Sequence, residues 1–283
     1  MIENLAEQLV RVDGVVGVTL GGSRARGTAL PGSDVDLGVY YRPPLDTGAL
    51  AELATRIAGR ATPVTEPGAW GPWVDGGAWL TVDGLVVDWI YRDLGRVREI
   101  WADCTRGQVE VGYQNGHPLG FYSHIYAGEL ALGRVLADPS GELAALRAGL
   151  DYPPALRAAL IERARGHAPF ALAIARKSVT RQDAAYVAGC LFQAFGVLAH
   201  ALHAHAGRWL INEKNAVAES ASLPAAPRDF AARVHRLFGV LGESREELGT
   251  TLGTADELVT ECLDNISGCP TTTGAQPPGT PAR

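Results

Sequence analysis

Between Gly21 and Tyr41 the chain reads GGSRARGTALPGSDVDLGVYY, and the second half of that stretch alternates as a strand with two unlike faces does. Successive side chains on a strand point to opposite sides. Val35, Leu37 and Val39 therefore fall on one side, and Asp34 and Asp36 on the other. The aliphatic row needs a core behind it. Aspartate is depleted in strands and two carboxylates on one face repel, so either that face meets water along a half-exposed edge or a cation compensates. Mg²⁺ suits such a pair, since it takes one or two carboxylates and fills its remaining positions with water and substrate phosphate.

Upstream, Val15 to Leu20 is an apolar strand candidate, Gly21 and Gly22 interrupt it, and Ser23 opens a short helix predicted to run through Ala29. A strand that passes through glycines into a helix start presents unpaired backbone N–H groups to an anion. Glycine lets the backbone approach phosphate oxygens closely, and the Ser23 hydroxyl adds a donor. The spacing GGSRARG is neither a dinucleotide fingerprint nor a Walker loop, because no Gly-Lys-Ser/Thr follows. Taken without the aspartates, the segment would read as an ordinary turn.

Gly22-Ser23, a gap, then Asp34-Val35-Asp36 resembles the glycine-serine and Asp-x-Asp motif of the DNA polymerase β-type nucleotidyltransferase superfamily. The order Gly22, Ser23, Arg26, Thr28 is similar in particular to the antibiotic (aminoglycoside and lincosamide) nucleotidyltransferases. That resemblance implies a third acid on a neighbouring strand. From Ala78 to Tyr91 the chain reads AWLTVDGLVVDWIY, two β-prone runs joined by Asp83-Gly84, a strong two-residue hairpin signal. Asp88 is the acid inside the second run. It is either the third ligand or general base, or an edge-strand carboxylate facing water or Arg92. Asp83 and Asp93 suit turn and strand-end positions.

The remaining chain divides by its periodicities. Residues 1–117 are expected to form an α/β nucleotidyltransferase domain, with helices at Ile2–Val12, Leu50–Ile57 and around Val97–Trp101, and a last strand at Gln108–Tyr113. From Pro118 the sequence turns alanine- and leucine-rich and shows no strand signal, so 118–266 is expected to be a helical bundle covering substrate and nucleotide. Its helices are drawn over Phe121–Leu132, Gly141–Leu150, Pro154–Ser178, Arg181–Ala206, Ile211–Ser220, Pro227–Leu241 and Thr254–Ile266. Residues 267–283, rich in proline, threonine and glycine, read as a disordered tail. The fold class is thus α+β, a mixed sheet with packed helices followed by a helical bundle.

The helical half resembles the second domain of the antibiotic enzymes more loosely. Arg181-Gln182-Asp183, a long helix, and Asn212-Glu213-Lys214 match their pattern of an acid near a helix start and a lysine beyond its end. The resemblance implies that Asp183 and Lys214 bind nucleotide or acceptor. Physically, Asp183 also suits a helix dipole, and Glu213 with Lys214 a solvated pair. The histidines His167, His200, His203 and His205 are explained by helix packing and exposure, and Trp70, Trp73 and Trp79 by a core or a loop cover over the sheet, although they could stack on a base or sugar.

Composition bears on the partners. A net charge of −6 disfavours a polynucleotide surface, which is usually strongly basic. No nucleic acid and no membrane partner is expected, and the acceptor should be a small molecule. The four cysteines lack metal-type spacing, and the N-terminus lacks a signal-like stretch, so a cytoplasmic location with reduced thiols is expected. No run approaches the roughly 18 apolar residues of a membrane span.

The expected activity is Mg²⁺-dependent transfer of a nucleoside monophosphate, AMP from ATP or its equivalent from another nucleoside triphosphate, to an acceptor hydroxyl. Pyrophosphate would leave. The resemblance implies two Mg²⁺ ions held by Asp34, Asp36 and Asp88, with the phosphates at Gly22, Ser23 and Arg26. Asp88 is the first candidate for general base, with Asp183 and Glu129 as others. The alternatives are a nucleotide-binding regulatory protein on the same scaffold, or AMP transfer onto a protein side chain.

Overall fold

The computed structural model describes residues 1–268. They form two compact units, Met1–Ala159 with Trp209–Lys214, and Leu160–Arg208 with Asn215 onward.

In the first unit the alternation of the valine-rich run becomes strand β2 (Val35–Tyr41). It pairs antiparallel with β1 (Val15–Leu20) and parallel with β4 (Leu85–Asp93), which in turn pairs antiparallel with β3 (Gly77–Val82). The hairpin between β3 and β4 turns on Asp83 and Gly84, both at positive φ (51° and 81°), as a type I′ connection requires. A further strand, β7 (Arg134–Ala137), pairs with β1, so the sheet runs β3-β4-β2-β1-β7.

One face of this sheet is apolar throughout. Val18, Leu20, Val35, Leu37, Val39, Val87, Trp89, Ala78 and Leu80 are buried there. Helices α1 (Ile2–Leu9) and α3 (Thr47–Ala58) cover them, burying Leu5, Ala6 and Leu9 and Leu50, Leu53 and Ala54. Full burial of each large aliphatic side chain is worth roughly 1.5–3 kcal/mol. Asp46 caps α3 by accepting from the Ala49 N–H at 2.9 Å, and Gly59 ends it in the left-handed conformation. The opposite face carries the charges.

Beyond β4, Asp93 caps α4 (Leu94–Thr105). The strand expected over Gln108–Tyr113 shrinks to β5 (Val111–Gly112), which pairs with β6 (Phe121–Tyr122) in a separate two-stranded sheet. The expectation of no strand after Pro118 is therefore overturned by β6 and β7. Both are too short for alternation to register in sequence, and β7 is an edge strand that leans on β1. Helices α5 (Ile125–Leu132) and α6 (Glu142–Ala148) flank β7. The expected boundary at residue 117 falls inside the first unit, which extends to Ala159 and takes back Trp209–Lys214.

The second unit is helical. Its division from the first falls within α7 (Pro154–Val179), and α8 (Ala184–His205), α9 (Ala216–Ser220), α10 (Phe230–Gly239) and α11 (Arg245–Gly268) follow. Helix α11 begins nine residues earlier than Thr254, because Leu248, Thr251, Leu252 and Ala255 keep helical spacing through glycines that look like breakers. The expected helix over Ile211–Ser220 starts only at Ala216. Helix α8 corrects the reading that no segment approaches a membrane span: at 22 residues and mean hydropathy 1.6 it is long and apolar enough by length and composition. Its apolar side chains lie instead in the core of this unit, with Leu191, Phe195, Leu198 and Leu202 buried among Phe230, Leu252 and Leu258. Of the expected tail, Ser267 and Gly268 close α11 and the rest lies outside the described residues.

Candidate active site

The polar face of the sheet is built from the same alternation that makes the core. Parallel pairing of β2 with β4 sets Asp36 directly beside Asp88, and antiparallel pairing sets Asp88 beside Trp79 of β3. Cross-strand partners share a face, so Asp36, Asp88 and Trp79 form one row across three strands. Asp34 lies two residues before Asp36, exposed at the entry to β2.

The loop after β1 closes on this row. The Gly21 N–H donates to the Asp36 carbonyl at 2.8 Å. Gly22, at φ +60°, lies so near the Asp36 carboxylate that a Cβ there would meet Oδ2 at 1.8 Å. Only glycine fits both the left-handed backbone and that approach. The helix predicted through Ala29 is one turn, α2 (Gly22–Ala25). The first amides of a helix have no intrahelical acceptor, and here the first of them, Gly22, lies against Asp36. Thr28 closes the following turn by donating its N–H to the Ser23 carbonyl at 2.9 Å.

Arg24 was not singled out by sequence reasoning, yet it ties the loop together. Its Nε donates to the carbonyls of Ser33 (3.2 Å) and Asp34 (3.0 Å), and its Nη2 to Ser33 (2.7 Å). The phosphate-loop candidate is thereby clamped to the backbone that carries Asp34. Arg26, the arginine that the motif emphasises, is exposed and reaches the Gly22 carbonyl at 3.4 Å.

The carboxylates of this face repel one another, and nearby cations offset them only in part. Burial pushes the Asp36 carboxyl above its ordinary range, and Asp34 and Glu129 push it further, while Lys214 and Arg26 pull it back. Burial likewise raises Asp88 to about 6, reinforced by Asp36 and Asp34 and opposed by Lys214. Asp88 Oδ1 is buried without a hydrogen-bond partner. Lys214 belongs to the first unit, with its N–H fixed by Asn212 Oδ1 at 2.8 Å.

Among the described residues no group of three or more His, Cys, Asp or Glu side chains is gathered closely enough to hold a metal ion alone. The orphaned Asp88 oxygen, the raised Asp36 and Asp88 carboxyls and the all-oxygen donor set do fit a hard cation that keeps water and phosphate in its shell. Histidine clusters contribute nothing here: His200 and His203 are buried within the second unit.

A buried ion pair supports the row from beneath. Arg92, two positions past Ile90 on the same face of β4, is 3% exposed and forks onto Glu129 of α5 at 2.6 and 2.8 Å. Its third donor reaches the Tyr91 carbonyl, and its guanidinium lies 5.0 Å from the Tyr126 ring centroid. Arg92 is thus not the partner of Asp88, and Glu129, a candidate base in sequence, is engaged in this pair. Parity on β4 (88, 90, 92) is the signal that could have placed Arg92 on the acid face.

One further expectation is changed by its partner. Glu213 is no solvated partner of Lys214: it meets His117 Nδ1 at 2.9 Å with 9% of its side chain exposed. Asp183 lies in the second unit, where it caps α8 by accepting from the Tyr186 N–H at 3.0 Å. Of the tryptophans, Trp73 is core, stacked on Phe121 at 5.6 Å, whereas Trp79 is 64% exposed.

Residues 2–64, which hold the loop, Asp34 and Asp36, match the family described as the nucleotidyltransferase domain. The match supports the nucleotidyltransferase superfamily, nucleotidyl transfer in general, and an enzyme of the transferase class. No curated protein matches the chain. Among solved structures, a nucleotidyltransferase-like protein from Exiguobacterium sibiricum 255-15 is similar at 11% identity and a TM-score of 0.45, over 95% of this chain and 78% of that one.

Proposed function

We propose that the chain transfers AMP from ATP to a hydroxyl of a small-molecule acceptor in a Mg²⁺-dependent reaction that releases pyrophosphate. One observation carries the reading: Asp36 and Asp88 are directly paired across parallel strands, with the Gly22 backbone pressed against Asp36. Acids and anion-binding amides so close together suit a reaction in which phosphate is held and charge develops on oxygen.

Asp36 and Asp88, with Asp34 at the strand entry, are the residues that would hold Mg²⁺, and the ion when bound supplies charge neutralisation on phosphate and polarisation of the acceptor hydroxyl. The amides of Gly22 and Ser23 receive the β- and γ-phosphates, with Arg26 and Lys214 adding positive charge on the same side. The acceptor oxygen forms a bond to the α-phosphorus while the bond from that phosphorus to the pyrophosphate oxygen breaks, and pyrophosphate departs with the electron pair. The hydroxyl proton passes to a carboxylate. Asp88 is the acid with an unengaged buried oxygen, and it takes that role in this reading.

The test is incubation of the full chain with Mg²⁺, ATP labelled at the α-phosphate and a bacterial metabolite extract, followed by mass spectrometry. A small-molecule product heavier by AMP, lost with Asp36→Asn, supports the reading. Label on protein instead transfers the assignment to protein modification, and no incorporation anywhere refutes turnover.

A further inference from the structure

The row that holds Asp36 and Asp88 continues onto an aromatic surface that the transfer chemistry does not use. Trp79, the cross-strand neighbour of Asp88, keeps 64% of its surface exposed. Its indole is stacked on Trp70 with ring centroids 4.3 Å apart and planes 13° from parallel. Thr81 and Val86, the next pair on this face, are exposed as well.

The pair is also held in place. Trp70 lies on the loop before β3, and the buried Gln114 grips that loop from three sides. Its Nε2 donates to the Trp70 carbonyl at 2.8 Å, and its Oε1 accepts from the N–H groups of Trp73 and Val74, each at 3.1 Å. The Trp70 ring then rests over Gly77, where a Cβ would meet it at 3.2 Å. A fixed aromatic surface loses little entropy on binding.

Sheet order says which substrate it faces. Across the sheet the sequence is the loop after β1, then Asp36, then Asp88, then Trp79. Phosphoryl displacement is roughly in line, so the attacking oxygen arrives opposite the leaving group. With pyrophosphate over Gly22 and Ser23, the acceptor comes from the side of β4 and β3. Adjacent strands are about 4.8 Å apart, so the indole lies one strand beyond the acid nearest the attacking hydroxyl.

We infer that Trp79, backed by Trp70, is the acceptor-side platform of the site, and that it takes the C–H face of a hydroxylated saturated ring whose free hydroxyl is thereby aimed at Asp88. The inference rests on the nucleotidyl-transfer reading for the word acceptor. The ring class follows from chemistry: the face of an indole is electron-rich and attracts the weakly positive C–H groups of a sugar-like ring, whose hydroxyls point outward around its rim.

The probe is methyl β-D-glucopyranoside, chosen because its axial C–H groups crowd onto both ring faces, followed by saturation-transfer NMR on the full chain without nucleotide. The wild type is expected to transfer saturation to the ring C–H protons, and Trp79→Ala to bind about tenfold more weakly. Equal transfer in the variant, or none in the wild type, overturns the platform. Adenosine displacing the glucoside also overturns it, by making the surface a base site. A dimer in sedimentation that Trp79→Ala dissociates overturns it in favour of a contact between copies. Calorimetry with Mg·ATP separates the two readings. A wild type that binds Mg·ATP and not the glucoside loses the platform alone, and one that binds the glucoside and not Mg·ATP loses the transfer reading while the ring subsite stands.

Discussion

Asp88→Asn should stabilise the metal-free protein while removing its activity. Asp88 is half-buried, has one oxygen without a partner and lies beside Asp36, and these features raise its carboxyl from 3.8 to about 6. A shift of two units corresponds to roughly 3 kcal/mol of preference for the neutral form, and solvent screening of a half-exposed group reduces this to about 1 kcal/mol. The sign follows from linkage. Because the folded value is raised, the favourable contribution is complete below about pH 4 and is lost as pH rises through about 6. At pH 7.5 the charged Asp88 therefore opposes folding, and neutral asparagine of nearly the same shape does not. Urea denaturation in EDTA should show the variant more stable by about 1 kcal/mol, or roughly 2–4 °C in melting temperature. Adding Mg²⁺ should reverse the order, since a cation held by the native acids stabilises only the wild type by mass action. A variant less stable than wild type in EDTA, or one that gains as much from Mg²⁺, refutes both the electrostatic account and the assignment of Asp88 to the metal.

Three other perturbations follow from the same geometry. Gly22→Ala places a Cβ 1.8 Å from Asp36 Oδ2 on a left-handed backbone, so turnover should fall at least a hundredfold for a stability loss of about 1 kcal/mol; wild-type turnover would refute the close approach. Arg24→Ala releases the carbonyls of Ser33 and Asp34 and should lower kcat about tenfold through misplacement of Asp34, measured beside an unchanged circular dichroism spectrum. Glu129→Ala leaves a buried guanidinium uncompensated and should cost about 3–5 kcal/mol in urea denaturation, whereas Arg92→Met with Glu129→Leu should restore most of that.

Legibility in sequence tracked how local each cause was. The faces of β2, the hairpin at Asp83-Gly84 and the helical period over Leu50–Ile57 follow from periods and turn chemistry within a few residues, and each appears in the fold. The pairing of Asp36 with Asp88 needed a parallel register between strands about fifty residues apart, which no local pattern specifies. Strand β7 forms only because β1 offers an unpaired edge, so its four residues carry no signal of their own. Arg24 and Arg26 are equivalent as residues in a loop, and only the turn that brings Ser33 and Asp34 back to the helix makes one of them a clamp. Glu129 looked available because its partner Arg92 lies 37 positions away.

These non-local causes share a physical purpose. A sheet face bearing Asp34, Asp36 and Asp88 is self-repelling, and its first-unit cations Arg26 and Lys214 are exposed, where screening weakens them. The face persists because the other side of the same strands is a continuous apolar core, and because Arg92, locked onto Glu129 and Tyr126, rigidifies β4 just below Asp88. Substituting that pair by apolar residues can match its stability, since a buried ion pair gains little over well-packed hydrocarbon. What hydrocarbon cannot do is hold one strand at a fixed height against its neighbour through forked, directional bonds. The Arg92→Met and Glu129→Leu double variant should accordingly keep its fold and most of its stability in urea while losing activity, because a site that works by in-line positioning loses rate when Asp88 is displaced by even about an ångström.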